Sequence, residues 1–236
     1  MEKVFSQHFS EADYVSLSTA VSTAYKIVEY WYKVNPSFSN TPTGHDLRPL
    51  LINFFVGDQL MKINSPGFSH EFQKNAARNC SHVRLYKGYA TITAHFLGGN
   101  RTRNRPRSAI YRALLSASNH DIFESDEGDL EYSNQHLYCH LCYAGLTKAK
   151  FIILAIPHHS QENIIGKSLV LPNIEANQEK VEDIIEQLDV RVRGLFDEKP
   201  SHRAEPTTEI EEIVEKLDFG IRGINNEGQN NKEKGC

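Results

Sequence analysis

Apolar side chains recur at three- and four-residue intervals near the start of the chain, which is the pattern of amphipathic helices. Residues 10–35 show this spacing most clearly, and Ser10 suits the N-cap with Asp13 in the first turn. A second apolar segment, residues 46–60, is shorter and also favours a helix. The Pro-, Ser- and Asn-rich residues between them, 35–46, predict a loop.

Alternating patterns typical of strands follow this helical region. Residues 82–86 and 89–99 flank Lys87-Gly88 and predict a β-hairpin. In its second strand, the pleat would separate an apolar face from a polar one that carries His95. Three further strands are predicted over residues 136–145, 151–157 and 167–172, and their short connections suggest an antiparallel meander. Pro106 is suited to open a helix over residues 106–119.

The order of these elements indicates an α+β fold rather than alternating βαβ units. We expect N-terminal helices followed by a mostly antiparallel sheet, with an extended C-terminal tail. The chain has 236 residues, so a core domain over 1–172 and an acidic tail over 173–236 account for its length.

The tail contains an internal repeat. Residues 183–195, DIIEQLDVRVRGL, match residues 212–224, EIVEKLDFGIRGI, in the class of side chain at nearly every position. The residues that define the matched positions are Leu188 and Arg193 in the first copy and Leu217 and Arg222 in the second. Two such copies predict either a bivalent docking element for a protein partner or a pair of short helices that pack on the core.

Positive charge is concentrated in one part of the core. Residues 72–120 contain nine Lys and Arg residues and no Asp or Glu, although the whole chain has a formal net charge of -4. The predicted nucleic-acid-binding residues are Arg101, Arg103, Arg105, Arg107 and Arg112. Guanidinium groups match the oxygens of phosphate, and the preceding Gly98-Gly99 would let the backbone approach a ligand closely. The alternative is pairing with the six acids of residues 121–131, or simple solvation.

Candidate catalytic residues are weakly defined. His82 and His95 lie within the basic segment and could serve as the general acid and base of a metal-free ribonuclease, although a strand histidine also has structural roles. Residues 136–142, HLYCHLC, suggest zinc, but strand alternation leaves only His140 and Cys142 on one side at close spacing. Glu71 and Lys74 are better explained by an exposed helical face than by a metal nuclease. We therefore predict no metal and no cofactor.

The remaining composition limits the function classes. The chain has no run of about 18 apolar residues, so we expect no membrane span. Its four dispersed cysteines suggest reduced thiols in the cytoplasm. The leading hypothesis is a nucleic-acid-associated protein, either a nuclease or a subunit of a nucleic-acid-directed complex. The alternative hypothesis is an adaptor whose repeated C-terminal motif docks on a protein partner.

Overall fold

The structure is a computed structural model, and it describes residues 2–74, 81–99, 106, 109–119, 135–160, 163–172, 174–176 and 181–186. It has the predicted α+β architecture of N-terminal helices followed by a mostly antiparallel sheet. Apart from residues 183–186, the two copies of the tail motif lie outside the described residues, as do the arginines at 101, 103, 105 and 107.

The N-terminal helices are α1 (Glu2–His8), α2 (Glu11–Val34), α3 (Pro36–Ser39) and α4 (Pro42–Met61). The predicted N-cap of α2 is confirmed, because Ser10 and Asp13 form a reciprocal capping box. The loop predicted between the two long helices is wrong in part. A short helix occupies most of its first half, and α4 begins at Pro42, a residue type that suits the first helical turn.

The strands are β1 (Phe68–Lys74), β2 (Ser81–Lys87), β3 (Ala90–Phe96), β4 (Leu137–Ala144), β5 (Phe151–Ala155) and β6 (Leu169–Val170). They form a sheet in chain order, and each neighbouring pair is antiparallel except β3 and β4. The predicted hairpin and meander are confirmed as β2–β3 and β4–β5–β6. The parallel pair needs a crossover, which includes α5 (Ile110–Ser116) and the 3₁₀ turn Ala117–Asn119.

One element boundary and one element type differ from the sequence prediction. The predicted helix at 106–119 is shorter, because α5 begins only at Ile110. Residues 71–74 belong to β1 rather than to a helical face, so that prediction is wrong. The pairing with β2 explains this, because Glu71 lies opposite Arg84 in a regular antiparallel ladder that gives partners to the backbone groups of β1 facing β2.

One face of the sheet packs against α2 and α4. Val21 and Val28 of α2 and Ile52 of α4 share a hydrophobic core with Ile92 of β3 and Leu141 of β4, and each of these side chains is almost fully buried. The alternation predicted for β3 is confirmed, because Ala90 and Ile92 are buried in this core and Ala94 and Phe96 pack against it. Removal of this apolar surface from water supplies the main driving force for the fold.

An ion pair connects the helices to the sheet. Lys87 Nζ of β2 lies 3.0 Å from Asp13 Oδ1 of α2, and the Asp13 side chain is only 2% exposed. Burial opposes ionisation of Asp13, but the backbone N–H of Ser10 and the Lys87 ammonium outweigh it and keep the pKa of this carboxyl below its ordinary value. Asp13, which completes the capping box of α2, therefore also fixes the end of β2.

Residues that pack on the core extend beyond residue 172, the predicted end of the core domain. Residues 181–186 are helical, Val181 is 5% exposed, and Ile184 and Ile185 pack against the same core as α2 and α4. The compact unit ends at Glu186. None of the helices within the described residues is long and apolar enough to cross a membrane.

Candidate functional site

The face of the sheet away from α2 and α4 is polar across four strands. Glu71, Arg84, Thr93 and His140 pair in register from β1 to β4 and so form one row across this face. Gln73 pairs with His82, and His95 pairs with Cys142, two residues further along these strands. On the other side of the central row lie Tyr86, Thr91 and Tyr138, which pair in the same way. We call these residues the polar face.

The crossover segment lies against the polar face. The ring of Tyr111 in α5 stacks on His82, with 4.3 Å between ring centroids and 28° between planes. The guanidinium of Arg112 lies 5.0 Å from the centroid of the Tyr111 ring. Both residues belong to the first turn of α5, so this turn brings a cation and an aromatic ring to β2.

Asn119 fixes the end of this crossover. Its side chain is fully buried, accepts a hydrogen bond from the backbone N–H of Tyr138, and donates to the carbonyl oxygens of Tyr138 and Pro157. A side-chain amide that satisfies backbone groups of β4 and of the segment after β5 holds the 3₁₀ turn against the sheet. The position of α5 over the polar face is therefore set by specific bonds.

Three histidines of the polar face are held neutral. Burial lowers the pKa of His82, and the positive charges of Arg84 and Arg112 lower it further. Burial and the neighbouring His140 lower the pKa of His95 well below its ordinary value. Burial lowers the pKa of His140 to about 3, and Arg112 acts in the same direction. Burial is the largest cause for all three histidines, and the charge of Arg112 contributes to each.

Some side chains of the polar face have hydrogen-bond partners within it. The hydroxyl oxygen of Thr93 lies 2.7 Å from His95 Nε2 and 2.7 Å from the hydroxyl oxygen of Tyr138, which joins β3 to β4. At the exposed edge, Tyr86 and Gln73 donate hydrogen bonds to Glu71 Oε1, and Arg84 lies 3.7 Å from the same oxygen. Glu71 thus accepts hydrogen bonds from residues of β1 and β2. His140 of β4 takes part in neither of these two networks.

Both ring nitrogens of His140 are buried without a hydrogen-bond partner among the described residues. The residue is only 3% exposed. The rings of His95 and Tyr138 contact it edge-on at 4.6 and 5.1 Å between centroids, but these contacts satisfy no N–H group. A buried polar group without a partner costs about 1–3 kcal/mol, so such groups are rare in folded proteins.

The structure brings some of the predicted site residues together. His82 and His95 lie on the polar face, and Arg112 lies in α5, next to the Tyr111 that stacks on His82. Sequence analysis weighed His140 only as a zinc ligand and missed its place beside His95. The signal was available, because the alternation of residues 138, 140 and 142 places them on the face that also carries His95 once β3 and β4 are paired in parallel.

The arrangement does not resemble a zinc site. The predicted alternation of residues 136–142 is confirmed, since Cys139 is buried in the core beneath the helices while Cys142 packs with Leu97 and Ile153 on the other face. Within the described residues, no three His, Cys, Asp or Glu side chains are close enough to share a metal ion. Burial raises the pKa of both thiols, so each behaves as a small apolar side chain.

The glycines before the arginine-rich segment have a structural explanation. A Cβ at Gly99 would lie 2.8 Å from Cγ of Leu146, and Gly98 has a positive φ of 92°. The carbonyl of Gly98 also accepts a hydrogen bond from the N–H of Gly145. Close approach at this position is therefore made by the chain itself, between the ends of β3 and β4.

Comparisons of the chain with protein-family models, with curated proteins and with solved structures found no match. The functional argument therefore depends on the residues and geometry of the polar face.

Proposed function

We propose that this chain binds nucleic acid, with phosphates held by the arginine-rich segment 101–107 and by Arg112 at the polar face. The observation that supports this most is the position of Arg112. It belongs to the first turn of the helix that follows the arginine-rich segment, and its charge adds to the effect of burial in lowering the pKa values of His82, His95 and His140. One guanidinium therefore connects the basic segment to the polar face.

The electrostatic character of the polar face favours an anionic ligand. Arg84 and Arg112 both act on His82, while Glu71, 3.7 Å from Arg84 on the edge strand, also accepts hydrogen bonds from Tyr86 and Gln73. A partly buried cation attracts phosphate more strongly than a fully solvated one, because water screens it less. Guanidinium groups also bind phosphate oxygens through paired hydrogen bonds.

The spacing of the remaining arginines favours a polymer rather than a small ligand. Arg101, Arg103, Arg105 and Arg107 alternate with other residues over seven positions, directly before α5. Several cations in succession suit the regularly spaced phosphates of a nucleic-acid backbone. We place this binding in the cytoplasm, where the reduced state of buried Cys139 and Cys142 would be maintained.

Fluorescence anisotropy with labelled single- and double-stranded DNA and RNA tests this proposal. The protein should bind at least one of the four ligands, and Arg112→Gln should weaken that binding about tenfold to a hundredfold, the range for removal of a charge-assisted hydrogen bond. Gel analysis of the same mixtures, with and without Mg²⁺, distinguishes binding from cleavage.

Lys33→Gln is the matched control. Lys33 is an exposed residue of α2, which packs on the opposite face of the sheet, and its replacement changes the net charge by the same amount. If Lys33→Gln and Arg112→Gln weaken binding equally, the effect is one of net charge and the polar face is not the interface. Absence of binding to all four nucleic acids at low salt would refute the proposed function.

A further inference from the structure

Buried side-chain nitrogens without hydrogen-bond partners lie on neighbouring strands of the polar face. A neutral imidazole always carries one N–H, so one of the two unpartnered nitrogens of His140 is a donor. The Nε of Arg84 is buried and has no partner among the described residues, and the same is true of His82 Nε2. Arg84 and His140 occupy the same row of the sheet, separated only by Thr93.

The two residues of this row on β3 and β4 are more buried than the two on β1 and β2. The Glu71 side chain is 41% exposed and the Arg84 side chain is 18% exposed, while Thr93 and His140 are almost fully buried. The polar face is therefore open at β1 and β2 and closed at β4. A ligand for His140 would therefore approach from the β2 side, past Arg84.

We propose that this row, from Arg84 to His140, is a binding site for a terminal phosphate group of a nucleic acid. The inference builds on the proposed function and specifies the part of the ligand that the polar face would recognise. Arg84 and Arg112 would neutralise the phosphate charge, and His140 would donate to one of its oxygens. A phosphate monoester presents several acceptor oxygens, which matches a site with several unused donors.

The closed end of the site favours a chain end over an internal phosphate. The nucleic-acid chain continues on both sides of an internal phosphodiester. One of the two sides would then have to pass through the closed end of the polar face at β4, where Tyr138 and His140 are buried. A terminal phosphate continues in one direction only. The rest of the nucleic acid could then leave over β2 toward Tyr111, with its terminal phosphate held at His140.

The test uses the full chain and ten-nucleotide single strands of DNA and RNA that carry a 5′-phosphate, a 3′-phosphate or hydroxyls at both ends. One phosphorylated end should bind about tenfold to a hundredfold more tightly than the hydroxyl form, which is the range for charge-assisted hydrogen bonds. His140→Phe and Arg84→Gln should abolish this preference. His45→Gln, at an exposed position of α4, should retain it.

A direct probe separates this inference from the proposed function. Inorganic phosphate should shift the side-chain ¹⁵N resonances of His140 in the wild-type protein, and Arg84→Gln should weaken that response. If oligonucleotides bind with equal affinity whatever their ends, the terminal-phosphate site is refuted while the proposed function stands. If no oligonucleotide binds, the proposed function fails, and unchanged His140 resonances would refute the phosphate site as well.

Discussion

Acidification should destabilise this protein through His140, and replacement of that residue should remove much of the effect. In the folded state the pKa of His140 is lowered to about 3 by burial and by the charge of Arg112. In the unfolded chain it returns to about 6.5. The unfolded state therefore binds a proton first, and the stability present above pH 6.5 is lost as pH falls toward 3.

The magnitude follows from the size of this difference. Each pKa unit is worth about 1.4 kcal/mol, so between pH 8 and pH 5 His140 alone should reduce the free energy of unfolding by about 2 kcal/mol. His95, which is also buried with a lowered pKa, adds to this reduction in the wild-type protein. The groups that act on or contact His140 are Arg112 from α5, His95 from β3 and Tyr138 from β4.

Urea unfolding of wild type and His140→Phe at pH 8, 6.5 and 5 measures this contribution. Trp31, the single tryptophan, packs against Tyr32 and Phe38 and provides the fluorescence signal. At pH 8 the variant should be about 1–3 kcal/mol more stable, because it removes buried nitrogens without partners. Its decrease in stability between pH 8 and pH 5 should be about 2 kcal/mol smaller than that of wild type. Parallel pH profiles for the two proteins would refute the argument.

Three further predictions concern other parts of the chain. Asp13→Ala should lower the free energy of unfolding by about 3–5 kcal/mol, because it removes the carboxylate that accepts from Ser10 in the α2 capping box and leaves Lys87 without its ion-pair partner. Glu29→Ala, which breaks an exposed α2 pair, should cost under about 1 kcal/mol in the same urea titration. Truncation after Pro172 should lower the melting temperature relative to truncation after Glu186, since only the former removes buried Val181; equal melting temperatures would contradict the role assigned to that residue. If the repeats dock on a partner, Leu188→Ala or Leu217→Ala should each weaken its capture partly and the double variant should nearly abolish it, whereas a double variant no weaker than either single variant would contradict bivalency.

The helices and most strands could be predicted from the sequence because each has a local signal. Ser10 and Asp13 define the start of α2 through side-chain bonds three residues apart, and the alternation of Ala90 and Ile92 reports burial on one side of β3. β1 was not predicted, because its exposed, mixed sequence becomes a strand only through pairing with β2. Local pattern cannot supply a partner that lies elsewhere in the chain.

The candidate site was predictable only in part for the same reason. The concentration of positive charge over residues 72–120 identified Arg112, His82 and His95 as a group. The parallel pairing of β3 with β4, which places His140 beside His95, depends on a crossover of some forty residues and has no local signature. The unused donors of His140 and Arg84 appear only once their surroundings are known.

A salt titration tests the central claim, that phosphates bind the basic segment, most directly. The dissociation constant of the best-bound oligonucleotide is measured against salt concentration for wild type and for the combined variant Arg101→Ala, Arg103→Ala, Arg105→Ala and Arg107→Ala. The log–log slope should fall by about 0.7–0.9 for each phosphate that the variant no longer neutralises, with weaker binding at every salt concentration. An unchanged slope and affinity in a variant that unfolds at the same urea concentration as wild type would contradict the claim.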